Sequence, residues 1–269
     1  MNPTTEFIIT KEYRRFVEFC NACKKENYIG LCYGQAGVGK SMAAYQAARW
    51  HEVKQEIKEK RSIDFTWPSM KMDDLDTIVY LPTVSNSPKT VHSGITQIII
   101  DFEILIERSI FKDKEVPWEE RLKQRVKLLI IDEADRLQPK SLEQIRDLYD
   151  REQIAVILIG MPGIEKRLIR FPQLYSRIGF LHKYQPLSEE EIAFILQNNL
   201  QFLNVSVDIK NFSDHEAIAT FTRITQGNFR LINRLLKQTI RIMEVNQLSS
   251  ITKEVIEAAR ECLVIGNVY

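Results

Sequence analysis

The sequence has no long apolar run. None of its 269 residues belongs to a stretch that approaches the roughly 20 apolar residues of a membrane-spanning helix. Its first six residues, Met-Asn-Pro-Thr-Thr-Glu, also lack the basic and apolar regions of a signal peptide. We therefore expect a cytoplasmic protein that has no membrane partner.

Cysteine is scarce as well. Four cysteines, at positions 20, 23, 32 and 262, are too few for a disulfide framework in a chain of this length, and we expect reduced thiols. Cys20 and Cys23 have the C-x2-C spacing of a zinc site, but no second Cys or His pair lies near them in the sequence. A tetrahedral zinc ion would lack half of its ligands there.

Neither sign of charge is in excess. With 37 Lys and Arg against 36 Asp and Glu, the formal net charge is +1. That balance excludes a broadly basic coat that would bind nucleic acid by charge alone. Any contact with DNA must come from a localised patch, or from many copies that act together.

The ten glycines are few, yet three of them fall in Gly34-Gln-Ala-Gly-Val-Gly-Lys-Ser41, which fits the phosphate-binding pattern G-x4-G-K-S. An apolar run at 28–33 precedes it and an Ala- and Gln-rich run at 42–50 follows, as expected for a strand and a helix. The turn between them would direct backbone N–H groups at a polyphosphate. Lys40 would reach the β and γ phosphates, and the Ser41 hydroxyl would bind Mg²⁺. The predicted ATP contacts are Gly34, Gln35, Ala36, Gly37, Val38, Gly39, Lys40, Ser41 and Met42.

A second strong pattern is the apolar run 127–131, which ends in Asp132 and Glu133. It has the Walker B form of a strand buried in a parallel sheet. Asp132 would hold Mg²⁺, and Glu133 would orient or deprotonate the attacking water, so hydrolysis is favoured over transfer to a substrate. Ligands of open α/β sheets bind beyond the carboxyl ends of the strands, which would bring Asp132 to the loop of Lys40.

Further strand patterns at 77–81, 154–159 and 180–181 alternate with helical patterns at 91–108 and 141–151. The second helix would open with a Ser141/Gln144 capping box, and 51–76 would be a charged connection. Beyond residue 186 only helical patterns remain, with expected starts at Ser188, Ser213, Asn228 and Thr252. The fold class is thus α/β, a P-loop core with a helix-covered parallel sheet plus a C-terminal helical domain. The expected domains are an N-terminal linker or helix at 1–27, the nucleotide-binding core at 28–185 and the helical domain at 186–269.

The segment 160–181 and the segment 225–233 together resemble the AAA+ ATPases. In that superfamily an arginine before the last core strand reaches the neighbouring subunit's nucleotide. The resemblance implies this role for Arg177, and Arg170 and Arg167 are the second candidates for it. The helical domain resembles the AAA+ lid, and the resemblance implies that Arg230 is its sensor 2 arginine, which touches the bound nucleotide. The superfamily usually has a polar sensor 1 residue where this chain has Gly160 and Met161.

Residues 28–243 resemble more narrowly the DNA-transposition regulators typified by TnsC, TniB and the phage Mu B protein. This resemblance implies a homo-oligomer that assembles on double-stranded DNA with ATP as a ring or helical filament. It would mark an insertion target and recruit or activate a transposase, with a target-selector protein as a further candidate partner, and ATP hydrolysis would disassemble it.

Residues 1–27 leave no room for a separate DNA-binding module, so DNA contact is expected from the core. The predicted contacts are Lys89 and Thr90 in the loop after the second strand, with Lys123 and Arg125. Two alternatives stay open. One is a nucleotide-gated scaffold that acts on protein partners, as in secretion-associated ATPases with a similar Gly-Asn-x-Arg-Leu-Ile-Asn segment. The other is a helicase or clamp loader.

Overall fold

The computed structural model describes residues 7–59, 72–111, 124–201, 212–248 and 250–263. The chain forms two compact units. The larger one consists of Tyr13–Gly34 and Lys40–Lys183. The smaller one consists of Met1–Glu12, Gln35–Gly39 and Tyr184–Tyr269.

The larger unit is built on a five-stranded parallel sheet of order β2-β3-β4-β1-β5. Its strands are β1 (Ile29–Tyr33), β2 (Thr77–Tyr80), β3 (Leu128–Ile131), β4 (Ala155–Gly160) and β5 (Ile178–Lys183). Every residue of β3 and β4 is buried, because parallel strands are covered on both faces. The α/β class and the parallel sheet predicted from the sequence are confirmed.

The helices of this unit alternate with the strands. They are α1 (Lys11–Glu26), α2 (Lys40–Ala47), α3 (Trp50–Glu59), α4 (Pro88–Ile110), α5 (Pro139–Glu152), α6 (Ile164–Leu168) and α7 (Pro172–Tyr175). Cys20 and Cys23 lie on the buried side of α1, and burial raises the pKa of the Cys23 thiol to about 12. Cys23 therefore stays protonated at neutral pH.

Two local predictions in this unit are wrong. The predicted connection 51–76 begins as α3, because Trp50 and Val53 are buried one helical turn apart and anchor it to the core. Helix α5 begins at Pro139 with Gln138 as its N-cap, so Ser141 does not open the helix. Ser141 is instead fully buried, and its place inside the first turn removes the expected capping box.

The smaller unit is helical, with α8 (Glu189–Gln201), α9 (Phe212–Thr225), α10 (Phe229–Val245) and α11 (Lys253–Glu261). The capping box at Ser188 is confirmed, since the Glu191 amide donates to Ser188 Oγ and the Ser188 amide donates to Glu191 Oε2. Asn228 and Thr252 are N-caps as expected. Ser213 is not, because α9 already begins at Phe212.

Apolar side chains of all four helices form one cluster in the smaller unit, with Phe221 and Ile232 fully buried at its centre. Among the residues that the structure describes, no helix is long and apolar enough to cross a membrane.

Candidate nucleotide site

Lys40 is held at the carboxyl end of β1. It is the first residue of α2, its side chain is buried, and its Nζ donates to the Gly34 carbonyl oxygen at 2.6 Å. The Gly34 amide in turn donates to the Gly160 carbonyl oxygen of β4. A buried ammonium needs polar or anionic partners, and a phosphate group is one that this position suits.

Ser41 and Asp132 meet at the same edge of the sheet. Asp132 directly follows β3, is 4% exposed, and its carboxylate is hydrogen-bonded by the Ser41 side chain. Burial raises the pKa of Asp132, against the hydrogen bonds from Ser41 and from the Glu133 amide and the charge of Lys40, which lower it. A buried carboxylate beside a hydroxyl is a set of hard oxygen donors, which fits Mg²⁺ with water and phosphate completing its octahedron.

Glu133 has a left-handed backbone, with φ of 52°, at the start of a 3₁₀ turn over Ala134–Arg136. This conformation turns the chain sharply out of β3. The Glu133 carboxylate forms an ion pair with the Arg136 guanidinium of the same turn. Arg136 also donates through Nη1 to the Pro82 carbonyl oxygen at 3.1 Å. The predicted catalytic base is thus bonded to a cation that also holds the segment after β2.

Asn86 ties the same two segments together. This side chain is 5% exposed and lies in the loop between β2 and α4. Its Nδ2 donates to the carbonyl oxygens of Thr83 and Arg136, both at 2.9 Å, and its Oδ1 accepts from the Gln138 amide. The loop is therefore bonded on both sides of Leu137 to the turn that carries Glu133.

The middle of the phosphate-binding loop, Gln35–Gly39, belongs to the smaller unit and is bonded to the start of α10. Asn228 Nδ2 donates to the Ala36 carbonyl oxygen at 2.7 Å, and the Arg230 amide donates to the Gly37 carbonyl oxygen at 3.0 Å. Gly37 has φ of 82°, a conformation that favours glycine. These bonds use carbonyl oxygens of the loop, so they do not compete for amide groups that would bind phosphate. The Arg230 side chain itself is exposed.

The predicted trans-acting arginine is paired within its own chain. Arg177 donates through Nε and Nη2 to the two carboxylate oxygens of Asp150, at 2.6 and 2.8 Å. The Arg177 hydrogen bond is the main cause of the lowered pKa of Asp150. Of the reserve candidates, Arg167 donates to the Asp135 and Leu137 carbonyl oxygens, whereas Arg170 is exposed. The role of Arg177 toward a neighbouring subunit stays a prediction.

The absence of a polar residue at Gly160 has a steric reason. A Cβ added there would lie 2.5 Å from Ile164 Cδ1 and 2.8 Å from Asp135 Oδ2. The Asp135 carboxylate occupies this place and accepts from the Met161 amide at 2.7 Å. A polar side chain at position 160 would displace it.

The structure does not bring the predicted DNA contacts onto one surface. Lys89 and Thr90 lie in the first turn of α4, beyond the carboxyl end of β2, where the Thr90 amide donates to the N-cap Ser87. Arg125 precedes the amino end of β3, which pairs in parallel with β2, so it lies at the opposite edge of the sheet. Its guanidinium stands over the Phe111 ring, 5.5 Å from the centroid. Lys123 lies outside the described residues.

Sequence reasoning missed Asn86, Arg136, Asp150 and the second role of Asn228. Each acts through a contact with a carbonyl group or a side chain of another segment, and no local pattern marks such a contact. The only available signal was a polar residue in a short loop already noted for Lys89.

The fold and this site define a P-loop nucleotide-binding protein of the AAA type. The AAA domain family matches residues 23–168, more than half of the chain, and the protein belongs to that family. It is similar along its whole length to a potential ATP-binding protein of Staphylococcus aureus, with 41% identity over 272 residues that cover 99% of both chains.

More distant matches include RuvB and ORC proteins. The RuvB subunit of the Holliday junction branch migration complex of Borreliella burgdorferi is 26% identical over 156 residues, which cover 51% of this chain and 43% of RuvB. Among solved structures, the Thermotoga maritima RuvB branch migration motor matches 98% of this chain and 72% of its own, with a TM-score of 0.60 and 17% identity. The Aeropyrum pernix ORC2 protein matches 98% and 70%, with a TM-score of 0.60 and 15% identity. These structural likenesses establish the AAA+ fold.

Proposed function

We propose that the protein is a cytoplasmic, Mg²⁺-dependent ATPase that regulates DNA transposition. With ATP it would assemble as a homo-oligomer on double-stranded DNA, mark a target, and recruit or activate a transposase, with a target selector as a further candidate partner. Hydrolysis of ATP to ADP and phosphate would then disassemble the oligomer. The observation that carries the proposal is the bonded link between the β2–α4 loop and the turn of Glu133.

The nucleotide chemistry rests on four side chains. The Lys40 ammonium would bind the β and γ phosphates, and Ser41 and Asp132 would hold Mg²⁺; the bond of Lys40 to Gly34 and that of Ser41 to Asp132 support these roles. Bound Mg²⁺ would neutralise charge that develops on the phosphate oxygens. Glu133 would orient or deprotonate the attacking water once its carboxylate leaves Arg136.

The link to DNA rests on the loop that Asn86 anchors. Lys89 and Thr90, exposed at the start of α4, are the predicted phosphate contacts of this loop. Any shift of the loop on binding would act directly on the Arg136 guanidinium and carbonyl group, through Pro82 and Asn86. Arg136 forms the ion pair with Glu133. Movement of the loop on DNA binding can therefore reach the predicted catalytic base through the short turn Ala134–Arg136. Such coupling requires that the β2–α4 loop and the turn of Glu133 have two discrete arrangements, one with DNA and one without it.

The relatives support a nucleic-acid partner. The RuvB matches carry names that refer to Holliday junction branch migration, and an ORC1 protein of Aeropyrum pernix with a TM-score of 0.57 is in complex with DNA. The narrower assignment to transposition rests on the sequence resemblance over residues 28–243. A single copy offers few phosphate contacts, so the proposal includes assembly, which multiplies weak contacts.

Electron microscopy on non-specific duplex DNA, with ATP analogue, with ADP and without nucleotide, tests the proposal together with ATPase assays with and without DNA. Filaments or rings on DNA only with the analogue, and DNA-stimulated hydrolysis, are the expected results. Lys40→Ala is the control that should abolish both. Particles and rates that are indifferent to DNA in every state would contradict the proposal and favour an AAA+ scaffold that acts on proteins.

A further inference from the structure

Helix α10 carries a straight row of four basic residues on one face. Arg230, Arg234, Lys237 and Arg241 follow one another at intervals of four, three and four residues. At 3.6 residues per turn they fall within about 60° of the helix circumference, and at 1.5 Å per residue the row is about 16 Å long. All four residues are exposed. We call this row the basic stripe.

The opposite face of α10 is the one that packs. Its buried residues are Ile232, Leu235, Leu236, Thr239 and Met243, which belong to the core or line it. This strongly amphipathic arrangement fixes the rotation of the helix, so the basic stripe faces away from the apolar cluster of its own unit.

In the described part of the chain, no acidic side chain forms an ion pair with the basic stripe. Glu244 is the single acidic residue of α10; it lies three residues after Arg241, next to the end of the stripe, and none of the ion pairs of the described residues includes it. Two cations on the other helices of the smaller unit are paired, Lys253 with Glu216 and Arg223 with Glu257. Within the described part of the chain, none of the ion pairs involves a residue of the basic stripe. Like charges at these spacings repel one another and destabilise a helix, so an external anion would stabilise this face.

We infer that three residues of the basic stripe, Arg234, Lys237 and Arg241, bind the phosphate backbone of duplex DNA, as a second DNA surface besides the β2–α4 loop, whereas Arg230 is the residue predicted to touch the nucleotide. This inference rests on the proposed function. A row of evenly spaced cations suits a polyanion with charges repeated along a line, and arginine binds phosphate oxygens with its planar fork. A protein partner would need an apolar or aromatic anchor, and between Arg230 and Arg241 every position in this sector is basic.

The size of the effect follows from counterion release. Each phosphate contact contributes about 0.9 to the slope of log affinity against log salt concentration. The loss of three contacts lowers the slope by about 2.7, so the affinity of the unaltered protein should fall about 40-fold more than that of the variant between 50 and 200 mM salt.

The test is a salt titration of duplex DNA binding by fluorescence anisotropy, with ATP analogue, on the full chain. The variant is R234Q/K237Q/R241Q, which leaves Arg230 for the nucleotide. The control K25Q/K54Q/K58Q removes the same charge from exposed positions of the larger unit. A conservative variant, R234K/R241K, keeps the charge and should keep the slope.

The expected result is weaker DNA binding and a lower slope for the first variant only, with unchanged affinity for the analogue. Its thermal stability should be equal or higher, because like-charge repulsion is relieved. Equal slopes for the variant and the control would overturn the inference and leave the proposed function standing. If the unaltered protein did not bind duplex DNA at low salt, both would fall.

Discussion

Replacing Asn228 by alanine removes two kinds of hydrogen bond at once. The Asn228 Oδ1 accepts from the Arg230 and Leu231 amides at 3.1 and 3.3 Å and so caps α10. Its Nδ2 donates to the Ala36 carbonyl oxygen at 2.7 Å and so holds the phosphate-binding loop. One side chain therefore fixes both the start of a helix and the shape of the loop.

The cost can be worked out from these bonds. The loss of an N-cap lowers the free energy of unfolding by about 0.5–2 kcal/mol. The loss of one neutral hydrogen bond adds about 0.5–1.5 kcal/mol. We expect the free energy of unfolding to fall by about 2 kcal/mol, and Tm by about 4–8 °C for a chain of this size.

Asn228→Asp separates the two contributions. Aspartate caps a helix as well as asparagine does, but it has no N–H for the Ala36 carbonyl oxygen. For Asn228→Asp we expect about half of the fall in the free energy of unfolding that Asn228→Ala causes, measured by chemical and thermal denaturation. Both variants should bind ATP analogue more weakly. A change below about 0.5 kcal/mol for Asn228→Ala would refute the reasoning, because surface substitutions without such contacts fall in that range.

Four further substitutions test the site. Gly37→Ala should weaken nucleotide binding at least tenfold and lower Tm in calorimetry. The reason is that a Cβ would lie 2.5 Å from Asn228 Oδ1, on a backbone with a left-handed φ. Unchanged binding would show that the loop does not have this shape when nucleotide is bound. Lys40→Ala should abolish ATP-dependent assembly in light scattering, since the buried ammonium is the cation predicted to bind the phosphates. Glu133→Gln should keep analogue affinity and trap the assembled state, with hydrolysis reduced at least 100-fold; a normal rate would remove Glu133 from the role of base. Arg177→Ala should lose hydrolysis but keep nucleotide binding, whereas loss of binding would indicate a role within its own subunit.

The sheet could be predicted from the sequence because its signal is local. The runs that became β3 and β4 are continuously apolar and strand-length, as expected for a sheet covered on both faces. Helix starts were harder to predict. Ser188 caps where expected because Glu191 completes the box, whereas Ser141 matches the same pattern and is buried inside α5, which Pro139 starts earlier. A capping pattern thus identifies a nearby helix start without fixing its position.

The candidate site likewise contains residues whose positions could be predicted from the sequence and contacts that could not. Lys40, Ser41 and Asp132 come together as predicted, because a short loop and a parallel strand end determine their places. Their roles in catalysis stay predictions. The contacts of Asn86 with Arg136 join segments fifty residues apart in sequence, and they depend on how two loops pack at one sheet edge. No periodicity or spacing in a single sequence records such a contact.

Two of the predicted catalytic groups are bound by side chains of their own chain. Glu133 is paired with Arg136, and Arg177 is paired with both carboxylate oxygens of Asp150. A carboxylate that pairs with a guanidinium is a poorer base, and an arginine whose Nε and Nη2 are bonded to a carboxylate has fewer N–H groups left for a phosphate. If the proposed function holds, a lone subunit should hydrolyse ATP slowly. The β2–α4 loop would release the first group on DNA, and a neighbouring subunit's nucleotide would draw away the second. Hydrolysis would then need both DNA and assembly, which is the order of events that a target-marking ATPase requires.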